Sequence, residues 1–113
     1  MTHKALKVKD VLKNEGINAG VIDMFSLKTI NDVSLFNLLD KYKSILTLEE
    51  GFVGKGGLDS LVQSVLEKNN SIKKVKTLGF KDSYVFEIGS REYLHKLNGL
   101  DEASVITKIK GSL

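Results

Sequence analysis

The sequence lacks cysteine, proline and tryptophan entirely, and it contains a single arginine, Arg91. Without cysteine there is no disulfide framework, no thiolate nucleophile and no thiolate metal site. Without proline, the turns must rely on glycine, asparagine and aspartate. Nucleic-acid surfaces usually combine several arginines with interleaved aromatic side chains, whereas this chain has one arginine and no tryptophan. We therefore expect no nucleic-acid partner.

Long hydrophobic runs are also missing. No stretch approaches the roughly 20 apolar residues of a membrane span, and the N-terminus does not have the pattern of a secretory signal. The chain has 113 residues, 42% of them hydrophobic and 27% charged, which is typical of one globular domain. Its net charge of +3 comes with lysines in two clusters, at residues 4–13 and 73–76, which we interpret as solvated faces. We expect a single domain over residues 1–113, located in the cytoplasm and without a membrane partner.

Helical and strand-like apolar patterns alternate along the chain. Helical spacing covers residues 4–14, and further helices are predicted after caps at Asn31 or Asp32, Ser90 and Asp101, and at residues 59–69. Short apolar runs predict strands at residues 18–25, 44–50 and 72–80, with 84–88 as a fourth strand or an extended crossing. This alternation predicts an α/β fold with three layers, α/β/α, around a mainly parallel sheet. Since the chain opens within a helix, we also expect that the first strand of the fold is missing.

The stretch GFVGKGGLDS, starting at Gly51, resembles a phosphate-binding turn between a strand and a helix. It is too short for a P-loop and lacks the hydroxyl that holds magnesium, and Asp59 replaces the last glycine of a dinucleotide fingerprint. A helix N-terminus still attracts anions, so the candidate anion-binding residues are Gly54, Lys55, Gly56 and Gly57. The favoured interpretation is structural: the glycines allow close packing, and Asp59 or Ser60 caps the helix at residues 59–69. The alternative is an independent anion- or nucleotide-binding module.

Other candidates for chemistry are few. Glu49 and Glu50 are adjacent at a strand end and point to opposite sides, so a role as a helix-end or interface acceptor is favoured over an acid–base pair. His3 and His95 are far apart, and His95 is expected at the surface. We therefore predict no catalytic residue and no metal site in this chain.

Several segments, taken in order, resemble the C-terminal domain of transketolase-like, thiamine-diphosphate-dependent enzymes. They are EGINAGVIDMFSLKTIND, then SILTLEEGFVGKGGLDSLVQSVL, then LGFKDSYVFEIGSREYLHKLNGLDEASVITKI. The chain departs from the family's pattern at four points: Asn31 replaces a proline, Gly51 replaces a frequent histidine or asparagine, Lys55 is an insertion, and Asp59 replaces a glycine.

The resemblance implies a three-layer domain with a largely parallel sheet, and a first strand at the sheet edge before the first helix. It also implies that thiamine diphosphate and Mg²⁺ are bound by the preceding domains of the parent enzyme, across a homodimer interface. This domain would bind no cofactor and would support assembly, while the enzyme transfers two-carbon ketol units between sugar phosphates. Deoxyxylulose-phosphate synthase, which has the same domain, is the other family member that the residues suit.

Overall fold

The computed structural model describes residues 1–113. Five helices and two strands follow each other along the chain: α1 Thr2–Asn14, α2 Asp32–Leu39, β1 Ile45–Phe52, α3 Leu58–Lys68, β2 Val75–Phe80, α4 Arg91–Leu97 and α5 Glu102–Lys110. None of the helices is long and apolar enough to cross a membrane.

Three of the helices begin at the predicted capping residues. Asn31, Ser90 and Asp101 are the N-caps of α2, α4 and α5, and each side chain accepts a hydrogen bond from the backbone amide three residues further on. Such a bond satisfies one of the amides that a helix start leaves unpaired. Local sequence therefore determines where these helices start.

The two strands form a parallel pair. Ile45 lies opposite Val75, and the register continues regularly to Leu48 opposite Leu78. It is then interrupted, because Phe52 lies opposite Phe80, so that β1 uses more residues than β2 over the same distance. The irregularity places Glu49, Glu50 and Gly51 where β1 no longer follows the ladder, and it redirects their side chains.

Helices cover both faces of this sheet, as predicted for a three-layer α/β/α fold. On one face, α1 and α5 bury Val8, Leu12 and Val105 together, with Leu46 and Leu48 of β1 packed against them. On the other face, α2 and α3 enclose a second cluster: Leu35, Leu39, Ile45, Val62, Val65 and Leu66. Alternate residues of β1 thus contact opposite cores, as expected of a strand covered on both sides.

Two of the predicted strands are not formed. Residues 18–25 and 84–88 belong to no sheet, and no backbone–backbone hydrogen bond involves residues 18–30 or 84–89. An apolar run predicts burial or extension, but a strand also needs a neighbouring backbone that completes its ladder. The parallel sheet therefore has two strands instead of the three or four that the sequence suggested.

The molecule exposes much surface for its size. Its accessible area is 7841 Å², whereas the scaling law for monomeric proteins gives about 6,200 Å² at 12.5 kDa. Only 13 of the 113 residues are buried, while several large apolar side chains are almost fully exposed. The surplus of about 1,600 Å² is twice the roughly 800 Å² that each partner contributes to a standard interface.

Candidate functional site

Glu49 occupies the N-terminal end of α3. Its carboxylate accepts hydrogen bonds from the backbone amides of Leu58 at 3.0 Å and Asp59 at 3.3 Å. These amides are among those that a helix leaves unpaired at its start, where the helix dipole also favours negative charge. The expected role of one glutamate as a helix-end acceptor is therefore confirmed, and Glu49 is that residue.

The glycine-rich turn is closed by its own side chains. The amide of Gly54 donates to Asp59 Oδ2 at 2.6 Å, and the amide of Gly56 donates to Ser60 Oγ at 3.1 Å. Gly54 and Gly56 both have positive φ angles, 72° and 83°, which residues with a Cβ rarely adopt. The glycines therefore give the backbone the shape that lets Asp59 and Ser60 bind it.

The cap of α3 differs from the prediction. The helix starts at Leu58, its N-cap is Gly57, and no side chain of the cap residue itself makes a hydrogen bond. Asp59 and Ser60 lie inside the first turn and bind backward into the loop, so neither is the N-cap. The physical reason is that Glu49 already supplies the acceptor that a capping side chain would provide.

The four candidate anion-binding residues do not converge on an open site. Lys55 is paired with Asp82 at 2.8 Å, and both side chains are largely exposed. The amides of Gly54 and Gly56 are taken by Asp59 and Ser60. At Gly57, an added Cβ would lie 2.5 Å from Glu49 Oε2, so this position is packed against a carboxylate.

The side chain of Glu50, at the end of β1, contacts two donor side chains of α4, Arg91 and His95. Arg91 Nε donates to Glu50 Oε1 at 2.5 Å, and His95 Nε2 lies 2.6 Å from the same oxygen. The hydrogen bond from Arg91 is the largest cause that lowers the pKa of Glu50 from 4.5 to about 2; burial opposes it, and the hydrogen bond from His95 lowers the pKa further. Arg91 and His95 are four residues apart, which places them on the same face of α4.

His95 is buried, which corrects the expectation of a surface histidine; only 3% of it is exposed. Its Nδ1 lies 2.6 Å from Lys4 Nζ, which also donates to the carbonyl of Leu100 at 2.6 Å. A lysine ammonium has only donors, so Nδ1 accepts a hydrogen bond from Lys4. In that arrangement Nε2–H donates a hydrogen bond to Glu50 Oε1. We call Lys4, Glu50, Arg91 and His95 the Glu50 network.

The Glu50 network joins α1, β1 and α4, three elements that are distant from one another in sequence. The spacing of Arg91 and His95 was the one sequence signal for this network, because two polar side chains on one helix face can share a carboxylate.

Lys73, from the second of the lysine clusters predicted to be solvated, also has partners within the chain. It pairs with Asp40 at 2.8 Å and donates to the carbonyl of Tyr42 at 2.9 Å, at the end of α2.

These residues do not fit a thiamine diphosphate or magnesium site. The amides at the start of α3 that could hold a diphosphate are bonded to Glu49, and those of the preceding turn to Asp59 and Ser60. No three of the histidine, aspartate and glutamate side chains are grouped so that they could hold a metal ion. The arrangement instead fixes α1, α3 and α4 to the end of β1.

The structure is an α/β domain in which helices cover both faces of a parallel sheet, and the carboxylates at the end of β1 bond to two of the helices. The chain belongs to the transketolase C-terminal domain family, whose model matches residues 1–105.

Individual relatives are consistent with this family. The chain is 35% identical over 109 residues to 1-deoxy-D-xylulose-5-phosphate synthase of Clostridium tetani, and 31% identical over 108 residues to that of Parabacteroides distasonis. In both cases the match covers 96% of this chain but only 17% of the relative. Among solved structures, a split-gene transketolase described as an inactive β4 tetramer superimposes with a TM-score of 0.78 at 31% identity. That match covers 97% of this chain and 35% of the other.

Proposed function

We propose that residues 1–113 act as one C-terminal domain of a cytoplasmic, thiamine-diphosphate-dependent enzyme of the transketolase type, in which they support assembly of a homodimer. In such an enzyme, thiamine diphosphate with Mg²⁺ supplies the chemistry that transfers two-carbon ketol units between sugar phosphates. The other domains hold that cofactor, and this domain binds them and a second subunit. By itself the chain is non-catalytic.

The observation that carries this proposal is an exposed apolar segment, residues 84–88, which we call the arm. Tyr84, Phe86 and Ile88 are 88%, 84% and 97% exposed, so every second side chain of the arm is a large apolar group that faces solvent. The ring centroids of Tyr84 and Phe86 are 5.9 Å apart, so the two rings lie against each other at the surface. Apolar patches of this kind mark protein–protein contacts.

The arm leads directly into α4, a helix that is bonded to β1. Ser90 caps α4 directly after it, and Arg91 and His95 of that helix bind Glu50. Since α4 is bonded to β1, the end of the arm that joins α4 has a fixed position. The large apolar side chains of the arm nevertheless face solvent. This suits a segment that inserts between domains of a larger enzyme. The surplus exposed area provides enough surface for more than one such contact.

A second candidate is deoxyxylulose-phosphate synthase, because the curated relatives named above are synthases and because TLEE at residues 47–50 and GSREYL at residues 89–94 suit that enzyme. The assembly role of the domain is the same in both candidates. They differ in the product that the complete enzyme forms.

The test is reconstitution with the polypeptide of the same organism that carries the thiamine-binding domains. We expect the two to form one complex in sedimentation, and expect ketol transfer between sugar phosphates to require both. Formation of deoxyxylulose phosphate instead would favour the synthase. Replacing Phe86 and Ile88 by serine should weaken the complex at least tenfold. Ile72→Ser is the matched control, because Ile72 is equally exposed at 97% but lies outside the arm. Equal binding by all three proteins would refute the role of the arm.

A further inference from the structure

Strand β2 has one edge without a partner. The sheet contains only β1 and β2, so alternate backbone amides and carbonyls of residues 75–80 point away from β1, where no further strand follows. Such an edge offers a row of donors and acceptors to another extended backbone. The edge of β2 is therefore a place where an extended segment can bind by continuing the sheet.

A cleft of about 530 Å³ opens beside this edge. It is lined by two residues of β2 and by residues of α5 or directly after it: Lys76, Leu78, Ala103, Ser104, Thr107, Lys108 and Gly111. No residue of β1 lines the cleft, so it lies at the outer side of β2. Leu78 also packs against the cluster of α1 and α5, so the cleft is on the face of the sheet that α5 covers. A strand bound at this edge points every second side chain toward the cleft.

The arm has the groups that such an edge can pair with. No backbone–backbone hydrogen bond involves residues 84–89, and Tyr84, Phe86 and Ile88 are almost fully exposed. The rings of Tyr84 and Phe86 already lie together, with 5.9 Å between their centroids, as two side chains on one face of a strand can do. Tyrosine, valine, phenylalanine and isoleucine are also the residue types that strands favour. One chain thus holds both an unpaired edge and a segment that suits it.

A twofold axis lets two copies of the chain pair both features at once. Asp82 lies midway between Phe80, which ends β2, and Tyr84, which begins the arm. An axis through Asp82 makes residues 75–88 of two copies run antiparallel, so that each arm lies along the β2 edge of the other copy. Three pairs of residues are then directly opposite each other: Phe80 and Tyr84, Leu78 and Phe86, and Lys76 and Ile88.

This register places the large apolar side chains of the arm on the face with the cleft. Leu78 lines the cleft, and directly opposite residues of antiparallel strands lie on the same face. Phe86 therefore lies beside Leu78 on the cleft side, and the other two large apolar side chains of the arm follow on that face. A shift by one residue would turn all three away from the cleft. At the axis the two Asp82 carboxylates approach each other, and Lys55, 2.8 Å from Asp82 in each copy, offsets their repulsion.

We propose that the chain forms a twofold dimer in which the arm of each copy pairs with the free edge of β2 in the other. The occupant of this edge is thus a second copy of the chain. The exchange of arms rests on the assembly role proposed for the arm, and it names the surface of the second subunit that the arm binds. The exposed area is sufficient, because the surplus of about 1,600 Å² exceeds the roughly 800 Å² that each partner gives to a standard interface.

The first experiment measures association of the whole chain by sedimentation equilibrium. We expect a reversible dimer, and replacing both Phe86 and Ile88 by serine should weaken it at least tenfold. Ile72→Ser is the matched control, because Ile72 is as exposed as Ile88, at 97%, but lies outside the arm. In the unmodified chain, amide hydrogen exchange of residues 75–80 and 84–88 should slow at least tenfold when the dimer forms.

The second experiment tests the register by cross-linking, since the chain has no cysteine of its own. Chains with Lys76→Cys are mixed with chains with Ile88→Cys in a glutathione buffer, so that a disulfide between the two variants joins two copies. We expect this disulfide to accumulate, because the two residues are directly opposite in the dimer. Glu87→Cys in place of Ile88→Cys is the control: Glu87 is also exposed but points to the other face. Its yield should be at least tenfold lower, and equal yields would contradict the register.

Three further outcomes would overturn the exchange of arms. They are a chain that stays monomeric at all concentrations, a dimer that is equally strong without the large side chains of the arm, and a monomer in which residues 75–80 and 84–88 are both protected. The last would show that the arm folds onto its own β2. In each case, a complex with the polypeptide that carries the thiamine-binding domains would still support the proposed function. Conversely, if the chain exchanges its arms but forms no such complex, the proposed function fails and the exchange of arms stands.

Discussion

The end of β1 and the arm at residues 84–88 differ in whether their groups find partners within the chain. At the end of β1, Glu49 and Glu50 find donors within the chain, and the first amides of α3 are bonded to a carboxylate. In the arm, the backbone has no backbone hydrogen-bond partner and the large apolar side chains face solvent. The comparison indicates that the helices and the end of β1 are held together within the 113 residues, whereas the arm finds no such partners in the chain.

Removal of the Glu49 carboxylate should show the largest effect at the end of β1. Glu49→Ala leaves the amides of Leu58 and Asp59 without their acceptor at the start of α3, and the loss of a helix cap typically costs about 1–2 kcal/mol. We expect a decrease of this size in the free energy of unfolding, measured by urea denaturation. Glu49→Gln, which keeps an acceptor oxygen, should recover part of it. An unchanged midpoint in Glu49→Ala would show that the helix start does not need this carboxylate.

The Glu50 network should make stability depend on acid pH. The pKa of Glu50 is about 2 in the folded chain and 4.5 as an ordinary carboxyl, so its ionised form is favoured by folding. Its contribution is complete above pH 4.5 and is lost as the pH falls toward 2. Because 39% of the side chain is exposed, water screens the interaction, and we expect a contribution on the order of 1 kcal/mol.

The measurement compares unfolding of the unmodified chain and of Glu50→Gln between pH 2 and 6. Glutamine cannot ionise, so the difference between the two proteins should be largest above pH 4.5 and should shrink toward pH 2. A constant difference over this range would mean that the charge of Glu50 is not what stabilises its contacts with Arg91 and His95.

Substitution in the arm should affect the folded chain much less. Phe86→Ser removes an exposed ring without neighbours in the core, and such surface changes usually alter the free energy of unfolding by less than about 0.5 kcal/mol. Phe80→Ser is the matched control, because Phe80 is half-buried in β2 and its ring centroid lies 6.5 Å from that of His95. We expect a clear loss of stability for Phe80→Ser alone. Similar losses in both variants would mean that the arm packs on its own domain.

The contrast between these regions also explains what the sequence could predict. The caps of α2, α4 and α5 depend on residues three positions apart, and the three predictions were confirmed. The two strands that pair were also predicted, because their apolar runs pack against the cores on both faces of the sheet. The strand predicted at residues 18–25 was wrong, and residues 84–88, predicted as a fourth strand or an extended crossing, form no strand. An apolar run does not reveal whether a neighbouring backbone completes the ladder.

The candidate site depended on longer distances along the chain. Glu49 reaches the start of α3 from nine residues away, and this displaced the cap predicted at Asp59 or Ser60. His95 is buried because Glu50 and Lys4 approach it from elements 45 and 91 residues distant. From its position on α4 beside Lys96, the sequence predicted that the His95 side chain is exposed to solvent. The pairing of a buried polar side chain is a property of the tertiary structure, which local composition does not encode.

The smallest effect is expected from added anions. A phosphate or pyrophosphate that docked at the turn before α3 would need the amides of Gly54, Gly56 or Leu58, all of which are bonded to side chains of the chain itself. It would also approach the carboxylates of Glu49 and Asp59, which repel it. Lys55 offers little compensation, because it is exposed and paired with Asp82.

We therefore expect pyrophosphate, ATP or thiamine diphosphate with Mg²⁺ to leave the melting temperature of the chain unchanged within the error of calorimetry. A ligand present at 100 times its dissociation constant would stabilise the fold by about 2.7 kcal/mol, which is readily measured. Lys55→Ala is the control, since loss of a stabilising shift in this variant would identify the turn as the binding site. Such a shift, abolished by Lys55→Ala, would favour the anion-binding module over the assembly domain. It would require the carboxylate of Glu49 to leave the start of α3 when the anion binds, because both cannot accept from the same amides.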